Sequence, residues 1–338
     1  GWDVSNAFSL SRMFDGCSSL QSLDVSGWDI SNAGDLSGMF SGCSSLQSLN
    51  LSGWDVSNTT DLRSMFSGCS SLQSLGVSGW DISNASGLSQ MFSGCSSLQF
   101  LDISDWDVSS AADLSWMFRG CSSLQSLDLS GWDVSSASSL YSMFEGCSSL
   151  QSLDLSGWDV SNASSLYSMF SGCSSLKTLD LSGWDISNAS NLSGMFEGCS
   201  SLKTLDLSGW DVSSVASLFS MFWDCSSLNS VALGAGCRPL VERLPSRPWY
   251  DAEGKQYDRP PAGVAGTFIK RKLAALAVAA DAASDADASL FAQIVEGEQD
   301  GLRYVIVPEG AAFEYGIEYP ELAGRYVGPG VYLTGYVG

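Results

Sequence analysis

Five aspartates, Asp102, Asp128, Asp154, Asp180 and Asp206, recur at intervals of 26 residues. On successive strands they would form a ladder of carboxylates. Such a ladder could hold a hard cation, because Ca²⁺ is bound by carboxylate oxygens. Two carboxylates about 5 Å apart are also the equipment of a retaining glycosidase. That chemistry requires one raised and one lowered pKa in a cleft, and equivalent aspartates on an open face offer no such asymmetry. The chain has neither an EF-hand loop nor a glycine-rich calcium nonapeptide. The ladder is therefore expected to be solvated surface, with cation binding as the alternative. Asn50 and Gly76 interrupt it earlier in the chain.

A second aspartate column, from Asp3 to Asp211, has a serine two residues on. This is the spacing of an Asx turn onto the backbone. Cysteines recur in the same rhythm from Cys17 to Cys225. Stacked cysteines have parallel side-chain vectors, which suit a disulfide poorly, and zinc needs clustered Cys-x₂₋₄-Cys spacing. Buried, reduced thiols are expected, with a Cys225–Cys237 disulfide as an alternative outside the strict stack. The sequence has no histidine, which removes the commonest general base and metal ligand. No cofactor site and no catalysis are expected.

Binding is better sought where the repeats differ. The outward positions are mostly serine, yet they carry Trp116, Arg119, Tyr141, Tyr167, Phe219 and Trp223, with Arg12 and Arg63 earlier. Aromatic residues and arginine are enriched at binding hot spots. The competing reading is that Tyr141, Tyr167 and Phe219 flank the core and pack between neighbouring turns.

The elements that must position these residues follow from the period. Trp-Asp-[Val/Ile]-Ser occurs nine times, at Trp2, Trp28, Trp54, Trp80, Trp106, Trp132, Trp158, Trp184 and Trp210, with no insertion between. Self-similarity of this kind marks a solenoid. In one repeat, Leu140, Met143, Phe144 and Cys147 lie at i, i+3, i+4 and i+7, which predicts a short helix capped by Ser138 and Ser139. Leu153-Asp154-Leu155-Ser156 alternates and predicts a strand. Gly157 turns the chain, and Trp158-Asp159-Val160-Ser161 predicts a second extended segment. Alone, such a helix and strand would be marginal, so stacking must supply the core.

The pattern L-x-x-L-D-L-S-G-W-D-[VI]-S-N…L-x-x-M-F-x-G-C-S-S resembles the 26-residue repeat of BspA-like leucine-rich-repeat bacterial surface proteins, over residues 1–235. Ala137, Ala163, Leu140 and Leu166 are core-size departures from it. The resemblance implies an α/β, leucine-rich-repeat-like solenoid of nine right-handed turns, parallel strand plus short helix. It implies an extracellular, cell-surface protein of adhesin type that contacts a host or neighbouring-cell protein or glycan, with no catalytic residues to carry over. Two alternatives remain: a calcium-stabilised spacer presenting another domain, and a non-catalytic part of a larger enzyme.

Composition agrees with an interaction protein. The net charge of −22 disfavours nucleic acid and anionic membrane as partners. The longest apolar run, Leu273–Ala280, is too short to span a bilayer. Gly1 falls inside a repeat, so a fragment of a longer chain is expected. After Leu233 the pattern fails, and residues 236–270 are expected to cap the solenoid. Their prolines, Pro239, Pro245, Pro248, Pro260 and Pro261, argue against regular helix. Residues 249–257 read as a hairpin. Residues 271–338 are expected to form a small further module: helix over 271–295, then strands at Leu302–Val307, Glu314–Tyr319 and Val331–Val337.

Overall fold

The structure is a computed structural model that describes residues 2–245, 248–251, 255–269, 295–299, 302–307, 313–314, 326–327 and 330–336. The chain divides into two compact units. One is Gly1–Ser246 with Pro261–Gly266, and the other is Arg247–Pro260 with Thr267–Gly338.

The first unit is a repeat solenoid. Its core is built of columns: the leucines from Leu36 to Leu192, the methionines from Met39 to Met221, the phenylalanines from Phe40 to Phe222 and the tryptophans from Trp54 to Trp210 are all buried. Each phenylalanine ring stacks on the next, with centroids 5.5 to 5.9 Å apart. Each tryptophan from Trp54 onward donates its indole N–H to a carbonyl of the preceding repeat, as Trp132 does to Ile103 at 3.1 Å. The polar edge of a large apolar ring is thereby satisfied inside the core.

The expected helix is absent, and the structure corrects that expectation. Among the described residues the one α-helix is α1, Arg238–Val241, outside the repeats. In a helix the amide of Phe14 would bond to Leu10 four residues back. It bonds instead to the carbonyl of Met39 in the next repeat, at 2.9 Å. Leu10, Arg12 and Gly16 do likewise, donating to Asp35, Ser37 and Ser41. The amides between them, on Met13, Asp15 and Cys17, turn back three residues to Leu10, Arg12 and Phe14. The segment is thus a chain of tight turns, every second amide serving the neighbouring repeat. Two left-handed residues per repeat make it possible, such as Ser142 at φ 53° and Gly146 at φ 75°. The physical reason is pitch. Backbone hydrogen bonds between repeats require a spacing of about 4.8 Å, whereas packed helices need about 8–10 Å. Helices stacked turn on turn would pull the phenylalanine column apart. Ser138 and Ser139 consequently cap nothing helical. The Ser138 hydroxyl donates to Ala112 O, and the Ser139 hydroxyl has no partner.

The strand side is also different in detail. Parallel ladders form between β1, Ser48–Asn50, and β2, Ser74–Gly76, and between β3, Thr204–Leu207, and β4, Ser230–Leu233, each in 26-residue register. These ladders contain the pairs Asn50↔Gly76 and Asp206↔Ala232. Where Asp102, Asp128, Asp154 and Asp180 succeed one another, no strand is formed, and Asp180↔Asp206 makes an isolated bridge. Like charges directly opposite in a sheet are destabilising, which agrees with the missing ladder at Asp102–Asp180, although Asp180↔Asp206 and Asp35↔Asp61 do bridge. The unbroken line of parallel bridges runs elsewhere, from Ser9↔Asp35 to Asn191↔Ser217.

After the last repeat a 3₁₀ turn at Ala235–Cys237 leads into α1, with Pro239 tolerated in its first turn where no amide is needed. The proline-based expectation of no helix is corrected to one helical turn. Cys237, Leu240, Val241 and Leu244 are buried, and the Cys237 thiol donates to Leu207 O and Trp210 O.

In the second unit, β5, Trp249–Tyr250, and β6, Gln256–Tyr257, form the expected antiparallel hairpin. β7, Gly266–Ile269, pairs with β5 through Ile269 and Tyr250. Further on, β8, Val295–Gln299, β9, Leu302–Val307, and β12, Gly330–Tyr336, make an antiparallel sheet with β9 central. β10, Phe313–Glu314, pairs with β11, Tyr326–Val327. Of the strand expected over 314–319, Glu314 lies in β10 and residues 315–319 lie outside the described residues. The helix expected over 271–295 lies outside the described residues, except Val295, which opens a strand.

Gly146→Ala tests the left-handed turns. An alanine there meets Gly120 only at van der Waals distance, 3.6 Å, so its cost is the backbone conformation alone. A loss of about 1–2 kcal/mol is expected in urea unfolding. An unchanged midpoint would count against left-handed backbone at this position.

Candidate functional site

The outward columns were built by the tight turns just described. Their side chains stand beside the inward leucine, methionine and phenylalanine, so their exposure depends on what the next repeat places alongside. Trp116 and Tyr141 lie on adjacent repeats, joined by the Trp116 amide to the Tyr141 carbonyl at 3.1 Å. Their rings meet edge to face at 4.4 Å, and both are half-buried. The line continues from Ser142 N–H to Tyr167 O at 2.7 Å, and Tyr167 is 45% exposed. Arg119 lies flat against Glu145 of the next repeat, its Nε 3.1 Å and its Nη2 3.2 Å from the two carboxylate oxygens. A bidentate fork of this kind fixes the guanidinium plane. The side chains of Trp116 and Tyr141 are therefore brought together, with Arg119 and Tyr167 tied to them through the backbone.

Phe219 and Trp223 are not joined to that group. They belong to the last repeat, and Ser193 occupies the intervening outward position. Phe219 is 71% and Trp223 69% exposed. The packing alternative thus holds for Tyr141, which rests on Trp116, holds in part for Tyr167, which is 45% exposed, and does not hold for Phe219, which is 71% exposed.

Trp116 has a left-handed backbone, φ 57°. A bulky residue there would ordinarily suggest functional strain. Here the same position is left-handed in the other repeats, including Arg12, Ser64, Gln90 and Ser220, so the strain belongs to the fold. The early arginines are packed against glycines. A Cβ on Gly38 would come within 3.2 Å of Arg12 Cγ, and one on Gly87 within 3.1 Å of Arg63 Cγ. Arg63 also forks onto Asp61, with Nε 2.9 and 3.1 Å from its oxygens.

Reading the outward columns for aromatics missed Phe100, which is 64% exposed on the strand side between Ser74 and Ser126 of neighbouring repeats. The signal was the same one: an aromatic in a column of hydroxyls. An open cavity of about 450 Å³ lies at the end of the first unit, lined by Val215, Ala216, Leu218, Pro239, Glu242, Arg243 and Ala262.

Both aspartate columns make Asx turns. Asp3, Asp29 and Asp81 accept from the amide and hydroxyl of Ser5, Ser31 and Ser83. The ladder does the same: Asp128, Asp154 and Asp180 accept from Ser130, Ser156 and Ser182, Asp102 from the Ser104 hydroxyl and Asp206 from the Ser208 amide. A third set, Asp35 and Asp113 onto Ser37 and Ser115, was not expected. Among the described residues no group of three or more Cys, Asp or Glu side chains is arranged to hold a metal. The serine hydroxyl first, and its amide second, hold the carboxyls of Asp3, Asp29, Asp81, Asp128 and Asp154 below the ordinary aspartate value.

All ten cysteines are free thiols, Cys225 and Cys237 included; Cys17 is exposed and the rest are buried. Each buried column thiol donates to a phenylalanine carbonyl 29 residues earlier, as Cys121 does to Phe92 at 3.2 Å. Burial pushes Cys43 up to about 11 and Cys69, Cys121 and Cys173 up to about 12.

Comparison with known proteins completes the picture. Residues 1–99, 61–179 and 138–233 each match the family model described as "Mycoplasma protein of unknown function, DUF285". Together they cover well over half of the chain. The chain belongs to this family. The DUF285 match ends at Leu233, the last residue of β4. No curated protein matches the chain. Among solved structures it is similar to one titled "Crystal structure of TLR13-ssRNA13 complex", at 19% identity and a TM-score of 0.26, covering 62% of this chain and 37% of that one. Among the described residues, no helix is long and apolar enough to cross a membrane.

Two outcomes test this chemistry. In the native protein at pH 8, iodoacetamide should modify one thiol, Cys17, and all ten after unfolding; labelling of several thiols before unfolding would contradict the buried column. The aspartates set the acid limit. Because their folded pKa values are lowered, their contribution is full above the unfolded value near about 3.9 and is lost as pH falls through the folded values. Melting midpoints should therefore drop on acidification below about pH 4. Asp128→Asn with Asp154→Asn keeps the turn acceptor, as Asn50 does with Ser52. That variant should melt slightly lower at pH 7, because an amide oxygen is a weaker acceptor than a carboxylate, and lose less in acid; identical curves would argue against stabilisation by the charged turns.

Proposed function

We propose that this chain is a non-catalytic, extracellular interaction protein of adhesin type, built as a BspA-like leucine-rich-repeat solenoid. Its partner is a protein or glycan on a host or neighbouring cell. The observation that carries the reading is the exposure of aromatic side chains in columns that are otherwise mostly serine and charged residues. Burying Tyr167 and Phe219, 45% and 71% exposed, would have stabilised the fold, so their exposure forgoes that gain. Exposed aromatics rimmed by hydroxyls are the composition of a contact surface. Around Trp116, Tyr141 and Tyr167 the surface lies on stacked turns whose backbones hydrogen-bond to both neighbours, so it is rigid there and pays little ordering entropy on binding. The cell-surface setting rests on the resemblance of the repeat to bacterial surface proteins.

The test is an array of extracellular-matrix proteins and glycans probed with the purified chain and with Tyr167→Ser. Serine stands at the equivalent position in the next repeat, so the variant should fold. A saturable ligand is expected to bind the variant about tenfold more weakly. Absence of any ligand, or a ligand indifferent to Tyr167 and to Trp116→Ala alike, would overturn the proposal.

A further inference from the structure

The last repeat departs from the others at three outward positions close together in sequence. Phe219 stands where the preceding repeat has Ser193, and Trp223 follows a column of serine and charged residues. Asp224 stands where all eight earlier repeats have glycine, and it keeps their left-handed backbone at φ 58°. Glycine would hold this turn at lower cost. The substitution therefore adds a carboxylate next to Trp223 at some expense to the fold.

A second carboxylate comes from the repeat before. The Glu197 side chain lies near Gly194, where a Cβ would meet Ser168 Oγ of the repeat before at 2.9 Å and Glu197 Oε2 at 3.2 Å. The Gly194 amide in turn donates to the Phe219 carbonyl at 2.8 Å, and the Gly198 amide to the Trp223 carbonyl at 2.8 Å. Glu197 thus stands beside the backbone that carries the two exposed rings. Neither Glu197 nor Asp224 has a cationic partner among the described residues, in contrast to Glu145, which Arg119 neutralises.

Two exposed rings on one turn, with a carboxylate beside Trp223 in the chain and another on the adjoining repeat, attract a cation that also presents apolar surface. Lysine and arginine do both, through cation–π contact and their alkyl stems. The net charge of −22 adds a long-range field of the same sign. A neutral glycan would use the rings and leave the carboxylates idle, an anionic glycan would be repelled, and a second copy of this acidic chain likewise. We propose that Phe219, Trp223, Asp224 and Glu197 form a docking patch for a lysine- or arginine-bearing peptide segment of another protein. This rests on the interaction-protein reading and narrows its partner.

The probe is a fluorescent peptide of Lys, Arg, Ser and Gly, compared by anisotropy with the same peptide carrying Gln in place of every Lys and Arg. The decisive variant returns the patch to the sequence of other repeats: Glu197→Ser, Phe219→Ser, Trp223→Ser and Asp224→Gly together. Other repeats fold with these residues, and circular dichroism verifies it. Asp128→Asn with Asp154→Asn removes the same two charges elsewhere. Binding of the basic peptide should weaken about tenfold or more in the reverted patch and less than about twofold in the charge-matched control. Equal losses in both variants would reduce the effect to net charge and overturn the patch, as would equal binding of the Gln peptide. If array ligands bind through Tyr167 while the basic peptide does not, the patch falls and the interaction reading stands. If neither binds, both fall.

Discussion

Every second amide in the tight-turn segment is satisfied by a different repeat. This constraint governs the rest of the molecule. It fixes the pitch near the spacing of parallel strands, excludes helices from the turns, demands left-handed residues twice per repeat, and forces identical side chains to stack on one another. Stacked rings, thiols and indoles then become tolerable only because each polar atom finds a carbonyl in the neighbouring repeat. The Trp132 indole and the Cys121 thiol both do so. Columns of asparagine and serine serve the same end on the surface, as when Asn58 donates to Ser31 O.

The aspartates show how a repeated residue can help and hinder at once. The aspartates of the two outer columns close turns with the serine two positions on, and several have an aspartate as the equivalent residue of the next repeat, as Asp180 has Asp206. Local hydrogen bonding favours the charge, whereas the sheet disfavours it. Its two ladders pair Asn50 with Gly76 and Asp206 with Ala232, and its continuous bridge line runs one column before the leucines, where serine, glycine and asparagine alternate with aspartate and one pair, Asp35 and Asp61, is of like charge.

Much of this was legible in the sequence. The period gave the columns, the Trp-Asp-x-Ser turn was readable from its own spacing, and Leu302–Val307 was bounded correctly as a strand. The helix was not, because Leu140, Met143, Phe144 and Cys147 point inward in a chain of alternating turns just as they would on a helix. What separates the two is the amide's partner, which lies in another repeat and leaves no mark in a single window. The exposure of Tyr167 and Phe219 was undecidable for a related reason. A side chain flanking the core folds in only if its neighbour one repeat away accepts it, as Trp116 accepts Tyr141. Phe100 was visible in principle, once variation is sought on the strand side as well.

Near-identical units carry a hazard of their own: a nascent chain can mate one unit with the wrong neighbour and still bury leucine on leucine. The arginine–glycine contacts supply the missing addresses. Arg63 has room across Gly87, whereas the equivalent position one unit further on is Asp113, with a side chain in the way, and Arg12 finds its glycine at Gly38 but a serine at Ser64. A few irregular residues in a monotonous array thus act as a key that admits one alignment and penalises a slip of 26.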